Sequence, residues 1–186
     1  MMRRNENIME KQEQVVREFS TKISDLRTGS LTELAPRNGE KYRFAWRMEG
    51  VEGKTYYELF QMGACLYFTA ETETFDDNDE LKMLQLLNWL NGWSHYGIFT
   101  NAPRQKRVFY EQTHFCRFSE YSIEEVNDYC QQMIKRMSIY YLSADLVFKG
   151  GVDIEEAVDK ARRIVRTLHT SEMIYEKISY IHPTVQ

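Results

Sequence analysis

The sequence predicts an α+β fold: an antiparallel sheet, built from a three-strand meander and a two-strand hairpin, packed with helices. Three observations lead there. Tyr42, Phe44, Trp46 and Met48 alternate with Arg43, Ala45 and Arg47, the period of two of a half-buried strand. Two further aromatic-rich runs follow after short breaks. Long segments on either side carry apolar residues at steps of three and four, the spacing of a helix face.

Residues 8–27 read as the first helix, with Ile8, Val15, Val16, Phe19, Ile23 and Leu26 on one stripe and Thr28-Gly29-Ser30 at its end. Residues 31–40, with Pro36, Asn38 and Gly39, read as a connecting loop. The first strand, 42–48, turns at 50–53 into a return strand, 55–61. Gly63 breaks the run, and 65–72 makes the third strand of the meander. An acidic cluster, 76–80, then opens a helix whose Leu81, Leu84, Leu87 and Leu90 share a face, with Asp77 as cap. Residues 96–101 and 106–115 form two strands around Asn101-Ala102-Pro103.

Ser122 and Glu125 make a capping-box signature for a long helix over 123–148. Its main stripe holds Ile123, Val126, Cys130, Met133, Met137, Tyr140, Ala144 and Val147. Ile139, Tyr141, Leu142 and Leu146 lie off that stripe, so the helix needs cover on a second side. A helix capped by Asp153 and Glu156 supplies it, with Ile154, Ala157, Val158, Ala161, Ile164, Val165 and Leu168 facing inward. Residues 171–181 add a short final helix. The chain reads as one domain over 1–186: a core over 1–150 and a C-terminal helical extension over 151–186.

Composition excludes several functions. The chain has 186 residues, 42% hydrophobic and 13% aromatic, which suits a globular protein. A domain of this size buries roughly 70% of its unfolded surface and needs no disulfide or metal to fold. The net charge of -4 gives no basic footprint for nucleic acid. The cluster Arg104, Lys106 and Arg107 beside Phe109 and Tyr110 reads as a solvated strand end rather than a base-stacking platform. Cys65, Cys116 and Cys130 are odd in number and widely spaced, which points to a reducing compartment. With no apolar signal core and no spanning segment, the expectation is a cytoplasmic protein without membrane contact.

No residue pattern identifies a catalytic centre. His95, His114, His169 and His182 stand in no nucleophile motif. His114 and Cys116 share a strand face, but no C-x-x-C or H-x-x-x-H spacing accompanies them, and the cysteines read as small buried hydrophobes. Asp76-Asp77-Asn78-Asp79 lacks the glycine and the terminal glutamate of a calcium loop, so it reads as helix capping. Gly150-Gly151 follows a helix and reads as a stop, not a phosphate loop. No metal and no cofactor is expected.

The aromatic pattern carries more. Tyr56 and Phe60 point to one side of their strand, Tyr57 and Leu59 to the other. Val108 and Tyr110 likewise oppose Phe109 and Phe115. Apolar residues on both faces require cover on both. The chain's own C-terminal helices can supply the second cover; so can a partner or a second copy of the chain.

The stretch Leu87-Asn88-Trp89-Leu90-Asn91 with residues 96–118, followed by Ser122-Ile123-Glu124-Glu125-Val126, resembles the bacterial YbjN-like family of proposed sensory-transduction regulators. That family shares the fold of class I type III secretion chaperones. As topology the resemblance covers residues 8–148, and the helices after Gly151 go beyond the minimal fold. It implies a non-catalytic protein that works by binding another protein, and a homodimer is the expected assembly. Trp46, Tyr57, Trp93 and Phe109 are the expected anchors. The competing reading is a small-ligand or metal-dependent sensor or enzyme using His114, Cys116 and His95.

Overall fold

A computed structural model of the chain describes residues 32–48, 55–63, 65–73, 79–95, 97–115 and 122–167. The strands are β1 (Thr32–Leu34), β2 (Glu40–Met48), β3 (Thr55–Met62), β4 (Cys65–Glu73), β5 (Gly97–Ala102) and β6 (Arg107–Phe115). The helices are α1 (Glu80–Gly92), between β4 and β5, then α2 (Ile123–Phe148) and α3 (Ile154–Arg166). The helices expected at 8–27 and 171–181 lie outside the described residues, as does the turn expected at 50–53.

The six strands form one antiparallel sheet in the order β1-β2-β3-β4-β6-β5. The expected meander is β2-β3-β4 and the expected hairpin is β5-β6. The two are fused: β6 pairs with β4 from Cys65↔Phe115 to Glu73↔Arg107, so β5 is left at the edge. One strand departs from the sequence reading. Thr32–Leu34 pairs with β2 instead of forming a loop. Three residues are too few to display a period of two, and their pairing is set by the free edge of β2. The β5-β6 turn also differs: it is a 3-10 turn over Pro103–Gln105, closed by Lys106 in the left-handed region at φ 54°.

The alternation within each strand decides what is buried. Phe44, Leu59, Phe68 and Gln112 form one row across the sheet; Tyr57, Ala70, Tyr110 and Phe99 form the next. All are buried, and the main core cluster draws its strand residues from this face alone. The helices cover it. Met83, Leu86, Leu87 and Leu90 of α1 are buried, whereas Leu81 and Leu84 are exposed. The expected stripe of Leu81, Leu84, Leu87 and Leu90 is therefore corrected. Steps of three alone drift by about 60° each around a helix, while the observed set combines steps of three and four and stays on one face. The α1 cap is corrected too: Asp79, not Asp77, accepts the Lys82 backbone N–H at 3.0 Å.

Both bonds of the α2 capping box form, Glu125 N–H to Ser122 Oγ at 3.1 Å and Ser122 N–H to Glu125 Oε2 at 2.7 Å. The α2 stripe from Val126 to Val147 is buried, and Tyr141 ties the helix to the sheet by hydroxyl bonds with Thr55 on β3 and Thr72 on β4. The second side of α2 is covered as the sequence requires. Leu142 packs with Ala161 and Val165 of α3, with Ile139 and Ile164 against them.

Candidate interaction surface

The second face of the sheet carries the residues that alternate with the core. Its cover changes from one edge to the other. Arg43 and Ala45 on β2 are buried. Tyr56, Phe60, Tyr67 and Phe109 are half-buried. Ile98 on β5 is 59% exposed and Phe115 on β6 is 65% exposed. The Phe60 and Tyr67 rings face each other across β3 and β4, stacked with centroids 5.0 Å apart. Ion pairs frame the aromatics. Arg43 binds Glu58 through both carboxylate oxygens, and Glu40 lies 3.6 Å from Arg43. Arg107 meets Glu71 at 3.3 Å.

The four expected anchors do not form one surface. Phe109 lies on the second face, between Glu71 and Thr100 in the register. Tyr57 is 0% exposed within the core, so its ring cannot reach a partner, and that expectation is corrected. Alternation shows that Tyr56 and Tyr57 oppose each other but not which of them meets the helices. Trp46 pairs with Tyr57 in the register; its side chain lies outside what is described. Trp93 is 47% exposed at the end of α1, on the helical side. The Arg162 guanidinium lies 4.2 Å from its ring centroid, and Arg136 donates to its carbonyl at 2.9 Å.

The histidine and cysteine candidates are also separated. Cys116 lies outside the described residues, and His95 is exposed in the bend after α1. His114 points to the helical side, its ring stacked on Tyr129 of α2 at 3.4 Å. A polar ladder runs down β6 to it: the Tyr110 hydroxyl donates to Gln112 Oε1 at 3.1 Å, and the Gln112 amide donates to His114 Nε2 at 2.5 Å. That nitrogen is thus already used as an acceptor. Burial lowers the imidazole pKa from 6.5 to about 4, so the ring is neutral near pH 7. Burial likewise raises the Tyr110 hydroxyl to about 12 and pushes the Cys130 thiol up. Among the described residues no three His, Cys, Asp or Glu side chains converge as a metal cage. No described helix is long and apolar enough to cross a membrane.

The exposed β5 edge has a specific cover that sequence reading missed. The Phe99 N–H donates to Asn91 Oδ1 at 2.7 Å, and Asn91 Nδ2 donates to the Phe99 carbonyl at 2.9 Å. Two residues earlier, Ser94 Oγ accepts the Gly97 N–H at 3.2 Å and donates to the Gly97 carbonyl. In a strand, the N–H and C=O of one residue point the same way, so these are the groups of β5 that face away from β6. Two side chains at the end of α1 take the place of a further strand. Gly97 is needed there, because a Cβ would stand 2.7 Å from the Glu111 carbonyl oxygen.

No family model matches the chain, and no curated protein matches it. Among solved structures it is similar to YbjN from E. coli, a proposed transcription regulator. The TM-score is 0.50 at 14% identity, over 70% of this chain and 88% of that one. At this identity the likeness concerns the fold. The antiparallel six-strand sheet packed with helices is a YbjN-like α+β fold.

Proposed function

We propose that the protein is a non-catalytic, cytoplasmic protein-binding module, a regulatory or chaperone-like adaptor that works through the second face of its sheet. One observation carries this reading. Phe109, Tyr67, Phe60, Met62, Ile98 and Phe115 all lie on the face turned away from the core, and the most exposed of them, Ile98 and Phe115, lie on β5 and β6. Glu58, Thr69, Glu111 and Ile98 form one row across this face, between Phe60 and Tyr67 on one side and Glu71 and Phe109 on the other. Apolar side chains thus interleave with carboxylates, and exposed apolar side chains on one face mark an interaction surface. The proposed regulatory role of YbjN agrees with a binding function. Since Asn91 and Ser94 occupy the outward groups of Phe99 and Gly97, strand addition along that stretch of β5 is disfavoured and docking on the face is favoured. A second copy of the chain, giving a homodimer, is one partner such a face fits.

The test is capture of partners from native cells at normal abundance, with the wild type and with Phe109→Ala, Ile98→Asp and Phe115→Ala variants. Loss of a true anchor should cost about 2 kcal/mol of binding. The expected result is one stoichiometric partner that the variants lose while their melting temperatures hold. Retention of the same partner by all three variants, together with an unchanged oligomeric state, would falsify the reading.

A further inference from the structure

On the helical side, a recess opens between α1 and the start of α3. It consists of two adjoining hollows of about 570 and 320 Å³ that share Gln85, Asp153 and Ile154. Leu81, Gln85, Asn88 and Trp89 supply the α1 wall, a set at helical spacing. Leu81 is 67% exposed and Trp89 38% exposed.

The charge of the recess is one-sided. Asp79, Asp153 and Glu155 line it. Asp79 caps α1, and Asp153 accepts the Glu155 N–H at 2.9 Å. Among the described residues Lys82 is the one cation of the lining, and its ammonium is engaged elsewhere. Its Nζ donates to the Val147 carbonyl at 3.4 Å and lies 5.7 Å from the Phe148 ring centroid. Among the described residues no cation pairs with any of the three carboxylates. An anion attracted to the first amides of α3 would meet these like charges, so phosphate chemistry is disfavoured.

What fits is a cation with a flat face. The structure already contains such a contact one turn away, where Arg162 lies over Trp93. At Trp89 the indole is part-exposed beside carboxylates, and a guanidinium can stack on one and pair with the other. We propose that this recess binds an arginine side chain from a peptide segment of a partner protein. The guanidinium lies on Trp89 and pairs with Glu155, while a neighbouring aliphatic side chain packs on Leu81 and Ile154. This surface shares no residue with the sheet face, so the two proposals stand or fall separately.

The experiment is an NMR titration of the isotope-labelled full chain with N-acetyl-Leu-Arg-Leu-amide and with its citrulline counterpart. Citrulline keeps the shape and removes the charge. The expected result is saturable shifts at the Trp89 indole N–H and the Gln85 and Ile154 amides. The citrulline peptide and the Glu155→Gln variant should each weaken binding roughly tenfold, the scale of one charge-assisted hydrogen bond. Glu155 is exposed and its side chain plays no part in the cap, so Glu155→Gln should keep the wild-type melting temperature. Absence of saturable shifts at millimolar peptide overturns the proposal. So does an equal response to the citrulline peptide, or full binding retained in both Glu155→Gln and Trp89→Leu.

Discussion

His114 shows how a residue that looks like chemistry serves packing. It stacks on Tyr129, accepts the Gln112 amide, and has its pKa lowered by burial from 6.5 to about 4. In the unfolded chain the imidazole takes up its proton as pH falls through about 6.5, whereas the folded chain takes it up only near pH 4. Between these values the unfolded state binds more protons, so stability falls as pH falls across that window. We expect the urea midpoint to drop as pH is lowered through this window, and to drop less in His114→Phe, which keeps the stack without a titrating group. Equal slopes for the two proteins would show that another group controls the acid response.

At the scale of elements, the end of α1 does the work of a strand. Asn91 satisfies both outward backbone groups of Phe99, as an adjacent strand would. Asn91→Ala leaves those groups without their partner and opens part of the β5 edge. A cost of about 1–3 kcal/mol is expected, together with concentration-dependent association. Denaturant midpoints and light scattering across a dilution series would check both, and a monomer of wild-type stability would contradict them. Sequence reading found Asn91 as part of a motif but could not say what it touched, because its partner lies in the following strand. The long strands and α2 were legible, since β2, β3 and β6 alternate and Ser122 and Glu125 sit at capping distance. The α1 face was not, because evenly spaced leucines mimic a stripe. The recess was not legible either: Trp89 and Glu155 line one hollow only when α3 folds back toward α1.

At the scale of the whole molecule, two candidate surfaces lie on opposite sides of one core. The aromatic patch faces away from the helices, and the acidic recess lies among them. Phe109 and Trp93, both expected as anchors, belong to different sides for this reason. The proposed adaptor therefore has two separable faces.

The strand order also sets a sequence of events during synthesis. The strand that joins the two halves of the sheet, β6, is the last of the described strands to be made, and it inserts between β4 and β5. Until residue 115 has emerged, β4 has an unsatisfied side, and the hydrophobic rows across Leu66, Phe68 and Ala70 end in water. A fragment ending at residue 95 holds the four strands β1 to β4 with that side of β4 open, and it should aggregate where the full chain remains dispersed. A dispersed, cooperatively folding fragment would refute this. β6 closes both gaps in the sheet, because it pairs with β4 on one side and with β5, whose outer side Asn91 holds, on the other.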